Sequence, residues 1–494
     1  MIKNKMIFNC YGDSIGSSCK DLVSFLNQNS IKSYFNSIYL LPSVFHYDID
    51  RGFSIIDYDL NEQIISLEDL KTLKEMGISP IFDFVLNHLS SNSPQFQDII
   101  HKGKQSDYYN FFVDWNSFWK GNGILNENGV IVPNPEHLNC LYKRKTCLPC
   151  ISFKDDLGES HTFWNSFYHS QDDETHWLGQ MDLNIQEPLV WKFYQQILKK
   201  LSDYGAFVIR LDAFPCLSKI VGRTNFFNEP ESWDILKHVE DLAKSYPLEL
   251  LPEVHSPYKS HIYEKIGQKG YLVYDYFLPG LILDALINED GSYLEKWGNE
   301  IITKKLNTIS MLSSHDGIPI NDLHGLLPES RINNLEKYLV EEGGLIKKIY
   351  GKENSTYQIF TTYFSALDEN EAAMLLARAI QLFFPGNPQI YYLDLLCGKN
   401  NLQNIDYDRE ESKREINRSS VTLDEANRFI KSNCVASQLK LIAYVNDNLL
   451  NRQFDCNIVC EKSVLKIVYY NQSKQICFRA DLKHKTFEIT NYSI

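Results

Sequence analysis

The chain has 494 residues, 44% of them apolar and 13% aromatic, enough for one large core with smaller attachments. A formal net charge of −14 without long blocks of like charge argues against non-specific nucleic-acid binding. No stretch approaches the ~20 apolar residues of a membrane span, and "MIKNKMIFNCYGDS" reads as neither signal peptide nor anchor, so the expectation is a cytoplasmic protein without membrane or nucleic-acid partners.

Eight short apolar runs rich in β-branched and aromatic residues follow one another. They are "MIFNCY" from Met6, "SIYLLP" ending at Pro42, "PIFDFVLNH" ending at His88 and "FVIRLDAF" from Phe207. The others are "LELLPEVH" ending at His255, "YLVYDYFLP" ending at Pro279, "TISMLSSHD" ending at Asp316 and "PQIYYLDLL" ending at Leu396. Helical patterns lie between several of them. Ser66 can cap "SLEDLKTLKEM", which sets Leu67, Leu70 and Leu73 on one face before Gly77. Pro188 opens a helix with an apolar stripe of Val190, Phe193, Ile197 and Leu201, closed by Gly205.

Continuous apolar strands alternating with helices predict a parallel sheet covered on both faces, and eight units predict an α/β fold of the closed (β/α)8 TIM-barrel type. The barrel is assigned to residues 1–88 and 187–434. An inserted subdomain after strand three takes 89–186, a small insertion after strand seven takes 317–358, and a C-terminal antiparallel β domain takes 435–494. Eleven cysteines, an odd number, suit free thiols better than a disulfide scaffold, and Cys140, Cys147 and Cys150 lack an obvious fourth zinc ligand.

Barrel enzymes carry their sites at the C-terminal strand ends. Here those ends supply Asp83, Asn87 and His88, then Arg210 and Asp212, then Glu253 and His255, then His315 and Asp316. Any one of these could merely cap a helix. Converging on one mouth, they offer the paired carboxyls of glycoside chemistry, in which a short separation gives retention through a covalent intermediate. Asp212 beside Arg210 is expected to stay ionised as nucleophile, and Glu253 after an apolar strand to be the proton donor with a raised pKa. A metallohydrolase centre is the competing chemistry, though no HxH follows the first strand.

"DFVLNH", "VIRLDAF", "LPEVH" and "SSHD", in that order, resemble the four short motifs of the α-amylase superfamily, glycoside hydrolase family 13. "RGFSIIDYDL", "HDGIPINDLHGLL", "YQIFTTYFSALDENEAAMLLARAIQLFFPGNPQIYYLDLLCGKN" and "REINR" are similar to its sucrose phosphorylase branch. The resemblance implies Asp212 as nucleophile, Glu253 as general acid/base and Asp316 as the supporting carboxylate. It further implies Arg210 orienting Asp212, with Asp50, His88, His315 and Arg414 on the glucosyl hydroxyls and Phe53 as an apolar wall. Gln180, Phe167, Tyr357 and Gln358 would line the acceptor side, and Arg144 and Lys145 of "LYKRKTC" would serve phosphate.

The implied reaction is phosphorolysis of sucrose to α-glucose 1-phosphate and fructose, with no cofactor and no metal, inorganic phosphate being the co-substrate of a monomer or homodimer. "YKRKTCLPC", "IYGKENSTYQ" and "KREINRSS" depart from the branch pattern on the leaving-group side alone. Sucrose 6'-phosphate and glucosylglycerate are therefore alternative substrates. An α-glucoside hydrolase or transglucosidase and a non-enzymatic binding protein on the same barrel are the further readings.

Overall fold

The computed structural model describes residues 6–28, 31–142, 147–167, 169–171, 177–349, 355–403, 405–407, 410–450 and 454–493. Each of the eight apolar runs contains a strand: β1 (Ile7–Cys10), β2 (Ser37–Leu40), β3 (Ser79–Val85), β4 (Val208–Asp212), β5 (Glu249–Pro252), β6 (Val273–Asp275), β7 (Thr308–Ser310) and β8 (Asn387–Tyr391). They form one parallel sheet in the order β5-β4-β3-β2-β1-β8-β7-β6, whose two end strands lie against each other to complete the barrel. All eight strands are buried on both faces almost throughout, as helices on the outside and side chains within require.

The helix after β2 runs Leu67–Glu75, its Ser66 cap reinforced by Asp69 in a capping box. Leu70 and Leu73 are buried, but Leu67 is 67% exposed, against the expectation of a shared face. Three-residue steps drift about 60° per step around a 3.6-residue helix, and Leu67 in the first turn falls off the stripe. Helix Pro188–Asp203 buries Val190, Ile197 and Leu201, and places Tyr194 rather than Phe193 fully in the core.

After β3 the chain leaves the barrel and is tied back to it at once. Strand His88–Ser90 pairs antiparallel with Trp177–Asp182, joining His88 to Asp182 and Ser90 to Gln180 in register. Between them Trp115, Trp119, Val130 and Trp164 form a core separate from that of the barrel. After β7, strands Ile318–Pro319, Leu345–Lys348 and Thr356–Phe360 make a small antiparallel sheet, with helix Glu329–Glu341 inside the same excursion.

The C-terminal strands begin later than residue 435. Helix Asn433–Asn448 comes first, capped by Ser432, with Val435, Leu439, Ile442 and Val445 buried at helical spacing. The four-stranded antiparallel sheet runs from β9 (Asp455–Glu461) through β10 (Val464–Tyr470) and β11 (Lys474–Asp481) to β12 (Thr486–Ser493). It packs on a barrel helix, Phe478 stacking on Phe383 with ring centres 4.7 Å apart.

Candidate functional site

The register of β3 and β4 sets Arg210 opposite Asp83, and alternation along β4 turns Arg210 and Asp212 to the same side, into the barrel. Arg210 is the hub. Its Nη1 lies 2.5 Å from Asp83 and 2.9 Å from Asp212, and its Nη2 lies 2.6 Å from Glu253 just past β5. Beyond Asp212 the backbone turns sharply, Ala213 taking a left-handed φ of 53°, which is strained for a residue with a Cβ. That turn points the Ala213 N–H at Glu253, to which it donates at 3.1 Å.

Burial and charge act on the two carboxyls in opposite directions. Burial, and then the negative charge of Glu253, push Asp212 well above the usual carboxylate range. Burial alone would raise Glu253 too, but Arg210 and His255 bring it below its usual value. Arg210 reaches across to Glu253 as well as along its own strand, so the two carboxyls titrate as a pair. His255 stacks on Tyr276 with ring centres 3.6 Å apart and contacts Asp322 at 3.3 Å.

The third carboxylate, Asp316, joins a floor of charged residues. Burial would raise it, yet neighbouring His315 and the Arg414 and Arg418 guanidiniums hold it far below the usual range. Asp50 accepts from Arg414 at 2.5 Å and from Arg418 at 3.3 Å, and Arg418 also reaches Asp316 at 3.4 Å. Arg418 is fully buried and bridges both carboxylates, a role the sequence analysis did not assign. Its signal was the i,i+4 spacing within "REINR". Asp50 and Arg51 both have positive φ, and Gly52 follows at φ 109°, where a Cβ would lie 2.2 Å from the Ser43 nitrogen.

Phe53 stacks on His315 at 4.8 Å, and its carbonyl accepts from His88 Nε2 at 2.9 Å and from Gln180 at 3.1 Å. Phe167 packs against His88. Burial pushes His88 down to about 4 and His315 down to about 3, so both rings are neutral at physiological pH. His88 donates through Nε2, which makes Nδ1 an acceptor. The buried atoms His88 Nδ1, His315 Nδ1 and Arg414 Nε meet no hydrogen-bond partner among the described residues. Buried polar atoms of this kind are ordinarily satisfied by a partner.

One pocket is lined by Asp50, Phe53, His88, Phe167, Gln180, Asp212, Glu253, His315, Asp316 and Arg414, together with Tyr357, Gln358, Phe226, His255 and Lys347. Arg210 sits beneath Asp212 and Glu253 rather than in the lining. Arg144 and Lys145, expected at the phosphate, lie outside the described residues. Glu253, His255 and Asp316 offer ligand atoms close enough to share a metal ion, as do Asp155, Glu159 and His161 in the inserted subdomain. The first set already faces the Arg210 cation through Glu253. Neither set includes a cysteine of the Cys140, Cys147, Cys150 cluster.

Lys219 pins the inserted subdomain to the barrel. Its ammonium sits 2.9 Å from Asp182, 3.0 Å from the Asn87 side-chain oxygen and 2.9 Å from the Cys216 carbonyl, above the Trp164 ring. Burial would raise Asp182, but Lys219 and Ser166 hold it below the usual range. A depressed folded pKa stabilises above the unfolded value, and that stabilisation is lost as pH falls through the folded one. Lys219→Met should therefore cost ~3–5 kcal/mol in urea unfolding at neutral pH, by stranding a buried carboxylate. The difference from wild type should shrink on acidification, once Asp182 is protonated. A cost independent of pH would remove the ion pair as its source.

A (β/α)8 barrel whose mouth holds a close carboxyl pair on one guanidinium, beside a third carboxylate, defines an enzyme of glycosidic-bond chemistry. The model of the alpha-amylase catalytic domain matches residues 30–272. A sucrose 6(F)-phosphate phosphorylase of Ilumatobacter coccineus is 42% identical, over 99% of this chain and 96% of its own length. A sucrose phosphorylase of Streptococcus mutans is 33% identical, over 90% of this chain and 88% of its own. The crystal structure of sucrose 6F-phosphate phosphorylase from Thermoanaerobacter thermosaccharolyticum matches with a TM-score of 0.89 at 32% identity, covering 100% of this chain and 98% of that one. The chain belongs to the sucrose phosphorylase branch of the α-amylase family.

Proposed function

We propose that this enzyme is a retaining α-glucosyl phosphorylase that converts sucrose 6F-phosphate and phosphate to α-glucose 1-phosphate and fructose 6-phosphate. The observation that carries the reading is that Asp212 and Glu253 are gathered on the one Arg210 guanidinium, at 2.9 and 2.6 Å. Carboxyls held on one cation fit the short separation of a retaining enzyme better than the wider one that leaves room for a water. Asp212 attacks the anomeric carbon and the glycosidic bond breaks, while Glu253 protonates the departing oxygen. Phosphate then attacks the glucosyl ester from the face the leaving group vacated, and Asp212 is released.

Two inversions give net retention. Asp316 and the Arg414–Asp50 pair hold the glucosyl hydroxyls, and Asp316 opposes the positive charge of the oxocarbenium-like transition state. The nucleophile must be ionised when it attacks, and Arg210, 2.9 Å from Asp212, supports that charge.

The leaving group is assigned to fructose 6-phosphate ahead of fructose because two relatives of near-full-length overlap, 42% and 32% identical, carry the sucrose 6(F)-phosphate phosphorylase name. Incubation with sucrose 6F-phosphate or sucrose, with and without phosphate, decides the matter. Phosphate-dependent release of α-glucose 1-phosphate, faster from the phosphorylated donor, is the expected result. Free glucose released at one rate with or without phosphate would overturn it.

A further inference from the structure

Asp50, the partner of Arg414 on the pocket floor, sits in a turn that is costly to hold. Asp50, Arg51 and Gly52 have φ of 54°, 46° and 109°, three successive residues in the left-handed region, two of which carry a Cβ. Backbone of this kind persists where its surroundings over-determine it. One closure is local, from the Phe53 N–H to the Asp50 carbonyl at 3.2 Å. The others come from the side chain of Arg51.

Arg51 stays outside the pocket lining and is largely buried. Its Nη1 donates to the Arg418 carbonyl, and its Nη2 donates to Ser420 Oγ at 2.9 Å and to Asp13 Oδ1 at 3.1 Å. Its guanidinium carbon lies 4.1 Å from the centre of the Tyr11 ring, so the cation is stacked as well as hydrogen-bonded. Tyr11 and Asp13 follow β1, Arg51 follows β2, and Arg418 and Ser420 lie on the segment after β8. Those three strands are consecutive in the sheet, and one side chain ties what emerges from them.

The parts so tied carry the charged floor. Asp50 is the neighbour of Arg51 on the strained turn, and Arg414 and Arg418, which meet Asp50 at 2.5 and 3.3 Å, stand on the tied segment. Arg418 also donates to the His315 carbonyl at 2.9 Å and reaches Asp316, so displacement of that segment would be felt at the third carboxylate. An arginine suits this position because its planar fork offers donors on separate nitrogens while its face rests on a ring, whereas a lysine offers a single ammonium.

We propose that Arg51 is a positioning residue of the glucosyl subsite, which locks the strained Asp50 turn to the segment of Arg414 and Arg418 so that Asp50 and Arg414 meet the sugar already in register. This rests on the phosphorylase reading above, which gives those two residues the glucosyl hydroxyls.

Arg51→Met, Arg51→Lys, Asp50→Ala and the double variant Asp50→Ala/Arg51→Met are compared with wild type, using α-glucosyl fluoride and phosphate, a donor that tests the glucosyl side apart from the leaving sugar. Arg51→Met should lower kcat/KM for the fluoride about 10- to 100-fold, the scale of a misplacement near 1 Å. KM for the fluoride should rise while KM for phosphate stays within about twofold, whereas a merely unfolded fraction would lower kcat and leave both KM values alone. In the Asp50→Ala background the further loss from Arg51→Met should be under about threefold, because residues that act as a unit are not additive. Arg51→Lys, which keeps a cation beside Asp13, should remain at least about fivefold below wild type. Hydrogen exchange of the ligand-free proteins reads the tie itself: in Arg51→Met the amides of residues 50–53 and 418–421 should exchange at least about tenfold faster, with the barrel strands unchanged.

Unchanged kinetics in Arg51→Met, or losses that simply multiply in the double variant, overturn the positioning role. Faster exchange throughout the barrel makes Arg51 a general stabiliser and overturns it as well. Full activity in Arg51→Lys overturns the account based on the fork. If wild type forms no α-glucose 1-phosphate, the phosphorylase reading falls, and the exchange contrast still decides whether Arg51 holds the two segments together.

Discussion

Asp212→Asn should lower glucosyl transfer by ~10⁴-fold or more with every donor, activated or not, because in the proposed mechanism it removes the atom to which the sugar is bonded. The change is close to isosteric, and Arg210 keeps Asp83 and Glu253 as partners, so the fold should survive. Its pH behaviour adds a second signature. Burial and Glu253 hold Asp212 high, and without its carboxyl the like charge that disfavours ionisation of the pair is gone. Loss of α-glucose 1-phosphate release with sucrose 6F-phosphate and with α-glucosyl fluoride alike is the expected outcome, with circular dichroism unchanged. Less than tenfold loss with either donor would remove Asp212 from the bond-forming step. Unaltered ligand binding in a protein without turnover would favour a binding role for the barrel.

The barrel was legible because its strands are buried on both faces, so runs such as "PIFDFV" are apolar apart from Asp83, whose charge meets Arg210 inside the barrel. The site was legible for the same reason, since polar residues ending Asp83–His88, Arg210–Asp212 and His315–Asp316 have a common destination once the sheet closes. What escaped depends on distance in the chain or on local backbone. Arg210 reaches Glu253 just past the next strand, a contact that no spacing within β4 reveals. Arg418 connects Asp50 and Asp316, which are 266 residues apart. Lys347 lines the pocket beside a register shift, which "LIKK" alone does not reveal. Helix Asn433–Asn448 had its signals, a serine cap and helical spacing, but lies next to strand-rich sequence that drew the boundary too early.

Glu253→Gln tests the proton rather than the bond, and its effect should depend on the leaving group. A glutamine keeps the size and can still accept from the Ala213 N–H, but carries no proton to give. With sucrose 6F-phosphate, whose departing oxygen needs protonation, turnover should fall about 10²- to 10⁴-fold. With α-glucosyl fluoride the first step should proceed near the wild-type rate, and mass spectrometry should find one glucosyl unit on Asp212. Deprotonation of the pair removes the acid in the wild type, so its rate with the natural donor should fall on the alkaline side, and the fluoride reaction of the variant should lack that fall.

The second step divides by nucleophile. A fructose hydroxyl must lose its proton as it attacks and has no base in the variant, whereas a phosphate dianion brings an oxygen that has no proton to lose. Phosphorolysis of the fluoride should therefore outlast transfer to fructose in Glu253→Gln. Equal loss with every donor and every acceptor would mean that Glu253 orders the site through Arg210 and moves no proton.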